Sequence, residues 1–159
     1  MKGIGFVALA CTTALGLSAV AQAAGKVTYT GNLGQSSAPQ ATIKLNVRAK
    51  KDRSGKEIVK VTFVELRNAT YRCSDGGEWA PGSTGGNQTD LSFFEPNVTL
   101  RGRSFSKTLL DESSALRVEL RGTIPKHGQA SGTVRLTEQV EPPLGFCDSG
   151  VVNWTAAPQ

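Results

Sequence analysis

A chain of 159 residues with 38% hydrophobic content has the length of a leader plus one ordinary domain, and a second domain does not fit comfortably. Eighteen Lys and Arg against 13 Asp and Glu give a formal net charge of +5, which raises the question of anionic partners. One histidine and three cysteines at distant positions do not make a tetrahedral zinc set.

The chain opens with Met1 and Lys2, then the weakly polar run GIGFVALACTTALGLSAVAQAA, apolar at its centre and closing on Ala21-Gln22-Ala23. A basic start, a short apolar centre and an A-x-A end predict a cleavable export signal over 1–23, cut after Ala23. A membrane anchor would need about 20 strongly apolar residues without this threonine and serine content. The triplet ALA before Cys11 lacks the large aliphatic residue of a lipid attachment site. The expected mature chain is therefore 24–159, secreted or periplasmic and without a transmembrane span.

Two cysteines remain, Cys73 and Cys147. An even count in an exported chain predicts a disulfide, because oxidising compartments let such bonds persist. The loop it would close is long, for which the chain-entropy account gives roughly 4–5 kcal/mol.

Beyond the leader, alternation dominates. After a short candidate strand KVTYT (26–30), the segment ATIKLNVRA (41–49) puts Ala41, Ile43, Leu45 and Val47 on one face and Thr42, Lys44, Asn46 and Arg48 on the other. That is the period of a strand with one buried face. Around it, KLNVRAKKDRSGKEIVK (44–60) carries seven basic residues against two acidic ones. The turn RSGK makes this a hairpin, with Lys50, Lys51, Arg53 and Lys56 near its tip as a candidate basic patch. Such a patch suits anionic lipid headgroups or acidic glycans. It also suits a solvated tip whose lysines deter edge pairing, the commoner role of a like-charge block. Nucleic acid is not expected, since no aromatic residue interleaves the basic stretch.

In IVKVTFVEL (58–66), Val59, Val61 and Phe63 share one face while Val64 and Leu66 fall on the other. Either both sides are covered or a bulge near Phe63 switches the buried face. Further short strands are expected at ATYRC (69–73), LSFF (91–94), NVTLRG (97–102), SFSKTLL (104–110), ALRVELRG (115–122), GTVRLTEQV (132–140) and GVVNWTA (150–156). Turn formers separate them: GSTGGNQ (82–88), KHGQ (126–129) and EPPLG (141–145). With no helical period in the mature segment, the expected fold is a single antiparallel β-sandwich or small barrel of roughly 8–10 short strands.

Two turns rhyme. CSDGG (73–77) and CDSG (147–150) each set a cysteine before a small acidic bend. Aspartate accepts from backbone just ahead and glycine takes the left-handed position, so both suit tight turns that a disulfide would hold together. That arrangement would gather Asp75 and Asp148, and with Glu78 they could begin a calcium site. No acidic run of EF-hand type supports this, and paired Asx turns are commoner, so no metal or cofactor is expected. Trp79, in GGEWAPG, is either a platform for a sugar or peptide or a lid over one end of the fold, and burial favours the lid. Trp154 shares a strand face with Val152 and Ala156 and is expected in the core.

Chemistry is sparse. His127 stands in a Pro- and Gly-flanked turn with no nucleophile or orienting carboxylate beside it in sequence. The carboxylate pairs Asp111–Glu112 and Glu138–Glu141 are not set around any evident cleft. No G-x-S-x-G elbow or phosphate-cradling loop occurs. Four N-x-[ST] triplets begin at Asn68, Asn87, Asn97 and Asn153; alternate polar residues on a strand's wet face generate the pattern unaided.

The order YTG, CSDGG, GQASGTVRL and CDSGVVNWTA resembles a family of small exported bacterial β-rich domains of unknown function. The likeness implies the fold and compartment, places Cys73 and Cys147 on the family's cysteines, and adds no mechanism. The lysine-rich stretch at 50–56 and TLLDESS (108–114) look like local additions. The expectation is a non-catalytic binding or structural protein of the cell envelope or extracellular space. Possible partners are a glycan, an anionic surface or an envelope protein. Alternatives are a carbohydrate-binding module using Trp79, Asp75 and Asp148, with or without calcium completed by Glu78, or a small hydrolase using His127.

Overall fold

The computed structural model describes residues 25–80, 90–111, 115–143 and 145–159. The export signal with its cleavage site, the turn at 82–88 and residues 112–114 of the acidic segment lie outside them. The described chain contains no helix and forms eleven antiparallel strands in one sheet. In chain order they are β1 (Lys26–Leu33), β2 (Thr42–Lys51), β3 (Glu57–Arg67), β4 (Tyr71–Cys73) and β5 (Glu78–Trp79), then β6 (Asp90–Thr99) and β7 (Ser104–Asp111). They continue with β8 (Leu116–Thr123), β9 (Ala130–Gln139), β10 (Phe146–Asp148) and β11 (Val152–Pro158).

Strand β9 organises the sheet. One of its edges pairs with β8 throughout. The other is shared by β11, opposite Ala130–Val134, and by β10, opposite Thr137–Gln139. From β11 the ladder continues through β1, β2 and β3 to β6, and from β8 it ends at β7. The two end strands, β6 and β7, are joined by the short turn at 100–103, where Arg101 bridges Ser104. An eight-stranded wall whose ends are tied by one turn must roll on itself, which is the barrel form of the expectation. Past the turn the seam stays open as a groove of about 710 Å³ between Asp90–Pro96 and Lys107–Leu110. The remaining strands, β10, β4 and β5, form a small annex on the end of β9.

The core is the inward column of each alternating strand. Ile43, Leu45 and Val47 on β2 meet Val118, Leu120, Val134 and Leu136 in one buried cluster. Trp154, 1% exposed, is its largest member, with Val152 and Ala156 buried on the same face of β11. Its ring needs space that glycine supplies. Gly122 and Gly132 face each other across β8 and β9, and a Cβ on either would come within 2.4 or 2.7 Å of the Trp154 ring. Phe105 tilts against the indole with centroids 6.4 Å apart.

The ambiguity in 58–66 resolves as a bulge. Asn46 pairs with Phe63 and Val47 with Val61, so Thr62 is the extra residue on β3. Val59 and Val61 before it, and Val64 and Leu66 after it, all point inward, and Phe63 turns out. LSFF and the first three residues of NVTLRG prove to be one strand, β6, while residues 100–102 fall in the turn that follows; the pairing of β6 with β3 shifts between Phe94 and Val98, around Pro96. Proline is tolerated there because β6 is an edge strand paired only with β3.

Candidate functional site

Cys73 and Cys147 are bonded and sit directly opposite each other on β4 and β10, 74 residues apart in sequence. Each neighbouring aspartate caps its own turn: Asp75 Oδ1 accepts from Gly77 N, and Asp148 Oδ1 from Gly150 N, both at 2.8 Å. Gly76 and Gly150 take positive φ, at 82° and 64°. Asp148 is further held by a two-pronged contact from Arg135, Nε to Oδ1 at 3.0 Å and Nη2 to Oδ2 at 2.5 Å. This guanidinium is the main reason the Asp148 carboxyl is held below its ordinary range. Glu78 accepts from Thr70 Oγ1 at 2.8 Å, and hydrogen bonds from Ser37 and Thr70 lower its pKa. Among the described residues no group of three or more His, Cys, Asp or Glu is placed to share a metal ion.

Trp79, read as a loop residue, instead belongs to the two-residue strand β5, paired with Tyr71. Its ring is 39% exposed, and its Nε1 lies where a Cβ on Gly77 would be, 2.5 Å away. Glu78, its neighbour, is opposite Arg72 and Trp79 opposite Tyr71, so the two side chains leave opposite faces of the annex. Behind the annex Tyr71 Oη donates to the buried carboxylate of Glu138. That partner was not foreseen, and it places Glu138 in the core edge, away from exposed Glu141. His127 sits on an exposed turn.

The tip of the basic hairpin is built around Asp52, which accepts from Ser54 N at 2.8 Å, Ser54 Oγ at 2.6 Å and Lys56 N at 3.0 Å. The Ser54 hydroxyl leads the causes that lower the Asp52 pKa. Lys50, Lys51, Arg53 and Lys56 surround it and are exposed. The larger concentration of charge lies beside this tip, on the outer face of β1, β2, β3 and β6. Lys26, Arg48 and Lys60 stand in a single row, directly opposite one another on three neighbouring strands. Lys44 and Lys50 flank Arg48 along β2, at alternate positions of the same face. Together these five cations line a shallow basin of about 880 Å³ with Asn46, Thr62, Phe63 and Phe94.

None of the five is in an ion pair among the described residues. The acid opposite Lys44 is Glu65, and its carboxylate is engaged by Arg67 at 2.9 Å. Glu57, near the tip, lies 3.5 Å from Arg103 instead. The Lys44 ammonium sits 5.9 Å from the centroid of Phe63, whose ring tilts against Phe94 at 5.1 Å. Phe94 itself is 78% exposed. Thr28 Oγ1 donates to Asn46 Oδ1 at 2.9 Å, which orients the Asn46 amide so that its NH₂ is left for an outside acceptor. The result is a surface of clustered cations, one open aromatic ring and interleaved neutral donors. Neither a protein-family model, nor a curated protein, nor a solved structure matches the chain.

Proposed function

We propose that this is an exported, non-catalytic binding protein whose working surface is the cationic face of β1, β2, β3 and β6, and whose partner is anionic. The row Lys26–Arg48–Lys60 carries the reading. Like charges directly opposite on neighbouring strands are destabilising, and the next row of the same face holds neutral Thr28 and Asn46 instead. Three cations in line, with no counter-charge among the described residues, represent stability given up for an external anion. The predicted leader and the disulfide support export, as does the likeness to small exported bacterial β domains.

The test compares two double variants that lose the same charge. Arg48→Ser/Lys60→Ser is expected to elute from immobilised dextran sulfate at clearly lower salt than Arg121→Ser/Lys126→Ser, a pair on β8 and the following turn. Equal elution of the two would reduce the face to a share of net charge and end the reading.

A further inference from the structure

We infer that the anionic partner is an extended acidic polysaccharide, a chain of sugar rings carrying carboxylates, laid across the strands from Lys26 toward Phe94. The inference rests on the binding reading above and names its ligand. Three features of the basin separate a carboxylated sugar chain from other polyanions.

The first is reach. The basin runs over four neighbouring strands, from Lys26 on β1 to Phe94 on β6. Strands lie about 4.8 Å apart, so Lys26, Arg48 and Lys60 repeat their charge on roughly that step. A linear chain with one carboxylate per ring repeats on a comparable length, and its span matches several rings rather than a single sugar.

The second is the mixture of donors. Between the cations lie the Asn46 amide and the hydroxyl of Thr62, which itself donates to Asn46 O at 3.3 Å and keeps its lone pairs open. Neutral donors and acceptors between point charges suit hydroxyls that alternate with carboxylates. An anionic lipid surface or an acidic peptide offers few such hydroxyls.

The third is the ring. Phe94, 78% exposed, stands at one end of the basin and is braced by Phe63 rather than buried by it. An open aromatic face beside polar groups receives the apolar C–H side of a pyranose. Lys44, poised near Phe63, then meets the carboxylate of the ring stacked there. Cations set the sign of the ligand, and Phe94 makes it a sugar.

The experiment uses the mature chain and three probes: an oligogalacturonate of eight rings, a poly-glutamate of equal charge, and vesicles containing phosphatidylglycerol. Wild type and Phe94→Ala are titrated by calorimetry, with Phe94→Trp as the variant that keeps a ring. The expected result is that oligogalacturonate binds most tightly, that Phe94→Ala weakens it about tenfold, and that Phe94→Trp restores it. Binding of poly-glutamate should be unmoved by either change. Equal affinity for oligogalacturonate and poly-glutamate, both indifferent to Phe94, would overturn the sugar inference while leaving a polyanion surface. Preference for vesicles would overturn it in favour of a lipid. No binding to any of the three would remove the proposed function itself. Since Phe94 is exposed, unchanged melting of the variants separates lost recognition from lost folding.

Discussion

Two charged regions of this molecule handle their charges in opposite ways. In the annex of β4, β5 and β10 and on the end of β9 that it covers, Asp148 is bound by Arg135 and by Gly150 N, Glu78 by Thr70, and Glu138 by Tyr71. On the face of β1, β2 and β3, five cations line one basin and none of them meets a carboxylate among the described residues. Satisfied polar groups hold a fold together, and unsatisfied ones of one sign await something from outside. On this contrast, changes in the annex should register in stability and changes on the face should register in binding.

The largest effect belongs to the annex staple. Replacing both Cys73 and Cys147 by alanine should cost about 4 kcal/mol, from the closure entropy of a loop spanning 74 residues, read as a lower urea midpoint. A midpoint within experimental error of wild type would show that the annex contributes little to the whole. Next comes Tyr71→Phe, which takes a donor from the buried Glu138 carboxylate and should cost about 1–3 kcal/mol in the same measurement.

A smaller effect is tied to pH. The Asp148 carboxyl is depressed in the folded state, mainly by Arg135, so its contribution is present above the ordinary aspartate pKa near 3.8. It is lost as pH falls from there through the lower folded value. Asp148→Asn should therefore lower stability at neutral pH by about 1 kcal/mol or less and converge with wild type in acid. Parallel curves down to acid pH would contradict that assignment. The smallest effect has the opposite sign. Arg48→Ser/Lys60→Ser relieves like charges set opposite each other and should raise stability by a few tenths of a kcal/mol at low salt, an advantage that fades as salt is added. A loss of stability there would break the contrast between the two regions.

Much of the wall was legible as alternation. The segments 41–49 and 115–122 are strands, the first with the inward residues anticipated, and Trp154 lies in the core beside Val152 and Ala156. The phase error at 58–66 was visible as two possibilities, and only pairing with β2 selects the bulge. β5 was illegible because two residues carry no period, and its existence depends on β4 offering an edge. The basic face shows the same limit. Lys44 and Arg48 could be read as the wet side of one strand and Lys50 as part of the hairpin tip, whereas Lys26, Lys60 and Phe94 join them only through strand order. Sequence thus drew attention to the hairpin tip, and three-dimensional adjacency moves the larger cluster onto the sheet beside it.

Thr62 makes β3 unusual in a further respect. An ordinary strand that gains or loses one residue turns every later side chain inside out. Here the residues on either side of Thr62 already alternate as though it were left out, Val61 in, Phe63 out, Val64 in. The wall therefore carries its own spacer in Thr62, beside which Phe63 presents its ring to the exterior while the lining of the barrel keeps its rhythm.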